Sequence, residues 1–170
     1  MKHLYFIRHG QTVLNAERKW AGHTDTPLTE EGKAQAKAAG KAAKSLHINH
    51  IISSPLSRAH DTAKIIAASI GLAEKHIEVN SLIIERHMGE LESQPWDIDI
   101  DLDGFADIET EDSVDERARL ILRHLTRLDA DTILMVSHGG FGHALWRIIN
   151  EHNDVDPIGH FANAEIIKLI

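Results

Sequence analysis

"ILMVSHGGFGHALWRIINEH", residues 133–152, decides the fold. Its first four residues are apolar without alternation, the pattern of a strand buried on both faces and hence of a parallel sheet. Two glycines follow Ser137 and His138, and from Gly140 onward the run reads as a helix. Strand, tight turn and helix in that order make half of a βαβ unit. A histidine therefore stands where the strand ends and the helix begins. The same arrangement recurs near the other end of the chain. There "LYFIRHGQT", residues 4–12, carries Arg8 and His9 off the tip of a strand spanning about residues 3–7.

Working outward, strands and helices alternate. A polar loop over 8–28 leads to Thr29, a good N-cap for the alanine-rich helix "EEGKAQAKAAGKAAKSL" (30–46). "HIISS" (50–54) reads as a second strand, with Pro55 suited to the first helical position after it. "IEVNSL" (77–82) is predicted as a third strand. Residues 112–128 are predicted as an amphipathic helix, with Val114, Ala118, Ile121, Leu122 and Leu125 at helical spacing. "AEIIKLI" (164–170) predicts a last strand. The alternation predicts an α/β fold, a three-layer α/β/α sandwich around a mostly parallel sheet. With 170 residues, a single domain over 1–170 is expected. Sheets of this kind bind ligands at the carboxyl ends of their strands, the edge that carries both histidine-glycine pairs.

Composition narrows the function. A formal net charge of −8 disfavours nucleic acid and anionic membranes as partners. The absence of cysteine removes disulfides, thiolate metal sites and cysteine nucleophiles together. No leader pattern opens the chain and no apolar run is long enough to span a bilayer, so a cytoplasmic location is expected. Thirteen histidines make any single one weak evidence. Oligomeric state leaves no trace in the sequence.

Four segments bring chemistry to the same edge. The first strand delivers Arg8 and His9; "SSPLSRAHDT" places Arg58 in the first turn of a helix; the loop after the third strand delivers Glu85; "VSHGG" delivers His138. Two arginines, two histidines and a helix N-terminus form a cage for a tetrahedral dianion, because a guanidinium fork donates to two phosphate oxygens at once. A neutral imidazole can attack phosphorus, and His9 is the better nucleophile because Gly10 leaves space beside its ring. A backbone carbonyl would then hold its other nitrogen in the right tautomer. His138 would donate, as a charged imidazolium, to the phosphoryl oxygens. Glu85 would protonate the leaving oxygen. Taken singly, each residue has an ordinary reading: strand-end arginine, turn histidine, solvated helix arginine, polar-loop glutamate. Their agreement across four separate elements is what counts.

With those residues in place, the sequence resembles the histidine phosphatase superfamily of phosphoglycerate mutase-like enzymes. The resemblance rests on "RHGQT" with Asn15, "GHTDTPLTEEGKAQA" (22–36), "SSPLSRAHDTA" (53–63), "ERHMGELE" (85–92), "DSVDERA" (112–118) and "VSHGG" (136–140). It implies a phosphorylated nucleophile at His9, phosphate binding by Arg8, Asn15 and Arg58, a proton donor at Glu85 and a second active-site histidine at His138. It also implies a backbone amide contact from Gly139, with Gly22 and Arg86 as candidates for touching the rest of the substrate. No cofactor and no metal are implied. Two departures stand out. Glu92 is followed by Ser93 where the family often has glycine, and the long basic insertion of the mutases proper has no counterpart.

In its place residues 94–116 hold ten acidic residues and no lysine or arginine, predicting an acidic lid over the sheet edge. From Asp99 this stretch opens like a calcium-binding loop, yet Thr110 stands where a bidentate glutamate is required. No H-E-x-x-H or comparable ligand set suggests a metallohydrolase. The reading is a phosphomonoesterase acting on a small phosphorylated metabolite, a phosphoprotein being the lesser candidate. A phosphoglycerate mutase and a non-catalytic phospho-ligand-binding module are the alternatives.

Overall fold

A computed structural model of the protein describes residues 1–96, 100, 102, 105–152 and 159–170. Strand β4 (Thr132–Ser137), every residue of which is buried, lies at the centre of a five-strand sheet of order β3-β2-β4-β1-β5. It pairs in parallel with β1 (His3–Arg8) on one side and β2 (His50–Ser53) on the other. β3 (Ile77–Val79) extends the parallel run, while β5 (Ile166–Lys168) adds an antiparallel edge against β1. Alternate side chains of these strands face opposite layers. Leu4, Phe6, Ile52, Ile133 and Met135 pack with helices α4 (Glu111–Leu125) and α5 (Gly139–Ile149). Ile7, Ile51, Leu134 and Val136 pack with α2 (Glu30–Ala43) and α3 (Ser57–Ile70). The three-layer α/β/α reading is correct, and its cause is visible: a strand with a helix layer on each face needs no polar positions.

Several boundaries differ from the sequence reading, each for a local reason. The loop 8–28 contains a short helix, α1 (Val13–Ala16), closed by a capping box between Thr12 and Asn15. Helix α3 begins at Ser57, so Pro55 lies outside it. Its first amide is capped from a distance: the Asp25 carboxylate accepts the backbone N–H of Ser57 at 3.1 Å and its hydroxyl at 2.8 Å. The third strand stops at Val79, because the Asn80 side chain accepts the N–H of Leu82 at 3.0 Å and turns the chain into a 3-10 segment over Ser81–Ile83. Among the described residues no helix is long and apolar enough to cross a membrane.

Asp97, Asp99, Asp101 and Asp103, central to the expected acidic lid and to the calcium-like loop, lie outside the described residues. Most of the acids described between Asp107 and Glu116 are engaged by donors from outside the segment. Arg117 grips both oxygens of Glu109 at 2.9 and 2.8 Å, and Arg147 holds Asp115 at 2.6 Å. Asp107 accepts the N–H of Glu90 at 2.8 Å. Reading this stretch as acid without cations overlooked arginines that arrive from α4 and α5.

Candidate active site

The carboxyl ends of β1, β2 and β4 meet a cleft of about 280 Å³. Arg8, His9, Asn15 and Gly22 line it, as do Arg58, Glu85, Arg86 and Gly139. His138 completes the set, its ring centroid 5.1 Å from that of His9. All the residues singled out from the sequence thus come together at one edge.

The two arginines are built in. Arg58 is only 1% exposed, and its guanidinium donates to the carbonyls of Thr24 (2.9 Å) and Gly22 (2.7 Å). Arg8 donates to the carbonyl of Phe161 at 3.0 Å. In both, Nε is buried and has no partner among the described residues, and Nδ1 of His138 is in the same condition. Buried polar atoms are normally satisfied, so those left unpartnered on two neighbouring guanidinium groups and an imidazole mark a candidate anion site. Burial lowers the pKa of both arginines, which nonetheless stay charged at neutral pH.

His9 is 3% exposed, and its Nδ1 lies 2.7 Å from the carbonyl oxygen of Gly10. A carbonyl only accepts, so Nδ1 carries the proton and Nε2 keeps its lone pair. Burial first, then the charges of Arg58 and Arg8, push its pKa well below the ordinary 6.5. The neutral form, with Nε2 unprotonated, is therefore the resting form. Gly10 also has a packing duty. A Cβ there would run into the carbonyl of Gly32, so the glycine lets the start of α2 close against the histidine loop.

His138 caps α5 and meets the Ser54 hydroxyl at 2.7 Å through Nε2. Burial, then Arg58, His9 and Arg8, push its pKa well below 6.5 as well. These causes disfavour the imidazolium that the sequence reading assigns to it. The Ser54 hydroxyl already accepts the N–H of Leu56 (3.3 Å) and so is placed to donate to Nε2, the arrangement that puts the proton of a neutral His138 on the unpartnered Nδ1.

Glu85 sits at the N-terminus of α5. Its Oε1 accepts the N–H of Phe141 (2.9 Å) and of Arg86 (2.8 Å), and among the described residues Oε2 accepts only that of Gly140 (3.1 Å). Oε2 thus has the lone pair to spare for a proton. Asn15 uses Oδ1 in the α1 cap, which leaves its amide N–H₂ for the cleft. Arg86 is anchored by Nε to the carbonyl of Glu109 at 2.7 Å.

A profile of the "Histidine phosphatase superfamily (branch 1)" matches residues 4–169. The chain belongs to that superfamily. Among curated relatives, a Salmonella choleraesuis protein named "Probable phosphoglycerate mutase GpmB" is 45% identical over 97 residues. That match spans 57% of this chain and only 44% of the relative. Among solved histidine phosphatase folds, a mycobacterial glucosyl-3-phosphoglycerate phosphatase complexed with VO3 superposes with a TM-score of 0.83 at 26% identity. The superposition covers 99% of this chain and 90% of that one. The crystal structure of "a putative alpha-ribazole-5'-P phosphatase" from Escherichia coli shares the fold at TM-score 0.80 and 20% identity, over 99% and 90% of the two chains.

The site also rests on residues that sequence reasoning passed over. Glu92 accepts the N–H of His23 (2.8 Å), the N–H and hydroxyl of Thr24 (2.7 and 2.6 Å) and the N–H of Met88 (3.2 Å). It thereby fixes the loop whose carbonyls orient Arg58. Gly22, at φ +50° and pressed against this carboxylate, leaves no room for a side chain. Asn163 donates to the carbonyl of His9 at 2.8 Å. Trp20, Trp96, Lys19, Met88, His143 and His160 line the cleft. Glu92 and Met88 lay within the 85–92 motif; Asn163, Trp20, Trp96, Lys19, His143 and His160 carry no local signal.

Proposed function

We propose that this protein is a metal-independent phosphomonoesterase that works through a phosphohistidine on His9. The observation that carries the reading is the trio of buried, unpartnered donors, Arg8 Nε, Arg58 Nε and His138 Nδ1, around a neutral and carbonyl-anchored imidazole. A phosphoryl dianion satisfies all three donors, with Asn15 and the Gly139 amide completing the cradle. Nε2 of His9 attacks phosphorus, the bond from phosphorus to the ester oxygen breaks, and Glu85 Oε2 gives its proton to the departing alkoxide. Water then attacks the phosphohistidine, Glu85 takes a proton from it, the P–N bond breaks and inorganic phosphate leaves. Charge growing on the phosphoryl oxygens meets fixed donors that need no reorganisation. The substrate class is a small phosphorylated metabolite in the cytoplasm, with Gly22 and Arg86 near its leaving portion.

A mutase reading is favoured by the GpmB match, and it shares the first half of the reaction. The two part at the second half, where the phosphoryl group goes to water or back to substrate. The test is rapid quench during turnover of an aryl phosphate. An acid-labile, base-stable phosphoprotein should accumulate and be lost in His9→Ala, with inorganic phosphate released stoichiometrically and a chelator without effect. Label that persists in His9→Ala overturns the assignment, and interconversion of phosphoglycerates without phosphate release installs the mutase. No turnover at all would leave a phospho-ligand-binding module.

A further inference from the structure

We infer that the mouth of the cleft is a subsite for a neutral, ring-bearing leaving group with an apolar face; the inference rests on the phosphatase reading above. The cleft runs from a buried floor, where His9 and Arg58 are almost wholly enclosed, to an outer wall that includes Trp96, 40% exposed. That wall is aromatic and apolar: Trp20, Trp96, Met88 and Leu102. The two indoles stand edge to face with centroids 6.0 Å apart. They are held there by main-chain bonds between two turns joined at an isolated antiparallel bridge, Lys19 to Pro95. Trp20 N–H donates to the Gln94 carbonyl (3.0 Å), Ser93 N–H to the Trp20 carbonyl (2.7 Å), and Trp96 N–H to the Arg18 carbonyl (2.6 Å). Trp20 and Leu102 also pack on the small core formed by Met88, Leu91 and Ile108. The wall is therefore preorganised, which lowers the entropy lost when a ring settles on it. Trp20 Nε1 is buried without a partner among the described residues, a donor for a hydroxyl on such a ring.

Charge at the mouth is already matched. Lys19 pairs with Glu17 at 2.7 Å, and Arg86 is tied to the Glu109 carbonyl and lies 3.8 Å from Glu111. His143 is driven toward its neutral form by burial, with His160 adding to the effect. An anionic leaving group would have to displace these partners, whereas a neutral ring displaces only water. At about 280 Å³ the cleft is at the small end of ligand sites, roughly 300–1,000 Å³, suiting a phosphate with one ring.

The experiment compares primary alkyl phosphates, whose leaving oxygens are chemically alike: ethyl phosphate, benzyl phosphate, glucose 6-phosphate and 3-phosphoglycerate. Specificity constants for at least one ring ester should exceed that for ethyl phosphate by ~10-fold, equivalent to about 1.4 kcal/mol, and 3-phosphoglycerate should fall below both ring esters. The benzyl and glucosyl arms separate an aryl face from a pyranose face. In Trp96→Ala the ratio of ring ester to ethyl ester should fall to ~3 or less, and Trp96→Phe should restore most of it. A ratio near one in the unaltered protein, or a ratio unchanged in Trp96→Ala, overturns the subsite. Calorimetric affinities for benzylphosphonate and ethylphosphonate give the same comparison without turnover. If no ester is hydrolysed yet benzylphosphonate binds ~10-fold more tightly, the phosphatase reading fails while the subsite stands; equal affinities together with no preference for glucose 6-phosphate remove the subsite.

Discussion

Nε2 of His9 is free because Nδ1 is committed to Gly10, and it stays free because burial and two guanidinium groups resist its protonation. This has a kinetic consequence. The acid limb of the specificity constant should reflect the second ionisation of the monoester, near pH ~6, and not a histidine at its ordinary value. Measured with esters of different second pKa, the limb should move with the ester; a limb fixed at 6.5 for all of them would contradict the assignment. Glu85 gives a second prediction at this scale. A general acid is typically worth about 10²–10⁴-fold, and an alkoxide needs the proton far more than a phenoxide does. Glu85→Gln should therefore slow phosphorylation by an alkyl ester far more than by an aryl ester in single turnover. Equal losses would assign Glu85 to holding the start of α5, where its carboxylate meets Gly140 and Phe141.

At the scale of elements, the loop over residues 22–24 links Glu92 to Arg58. Burial alone would raise the Glu92 carboxyl, but hydrogen bonds from Thr24, His23 and Met88 outweigh it and hold the pKa below 4.5. A glutamine offers only one acceptor oxygen to donors that now use two. Glu92→Gln should cost about 1–3 kcal/mol by denaturant unfolding, and should weaken vanadate binding ~10-fold, near 1.4 kcal/mol, as Arg58 loses its fixed carbonyls. Unchanged vanadate affinity would confine Glu92 to stability. Beside it, Ser93 has φ +67°, the left-handed region where glycine costs least. Ser93→Gly should stabilise by about 0.5–1 kcal/mol, the left-handed penalty of roughly 1–2 kcal/mol offset by added freedom of the unfolded chain. The departure from the family pattern thus keeps the turn and strains it. These elements also mark how far the sequence could be read. Strands β1, β2 and β4 are legible because continuous apolar runs have one good use, and Arg8, His9 and His138 because strand tips are fixed by topology. Asp25 capping α3 and the pairing of Trp20 with Trp96 were not, since each joins segments far apart in the chain and leaves no periodicity.

Across the whole molecule, two histidines are buried neutral. Their folded pKa values are lowered, so the unfolded chain takes up protons first as the pH falls. The stability they confer is complete above about 6.5 and declines below it, by up to ~1.4 kcal/mol per pH unit for each histidine. Urea unfolding at pH 7.5, 6.5 and 5.5 should show this slope, and His138→Gln should flatten it; a stability independent of pH over that range would mean the pair is not buried neutral. The placement of β1 carries a different consequence. It lies between β4 and β5, so its pairing partners are distant: Lys2 meets Asp131 across 129 residues, Arg8 meets Phe161 across 153, and His9 meets Asn163 across 154. On the ribosome the strand carrying His9 emerges well before its partners and waits, an apolar segment with both edges open, until they follow. Contacts this remote in sequence fold slowly and expose unpaired edges meanwhile. Enzymatic competence should consequently appear late in synthesis, after the segment carrying Phe161 and Asn163 has left the exit tunnel, and a nascent chain stalled before that point should bind chaperones rather than vanadate.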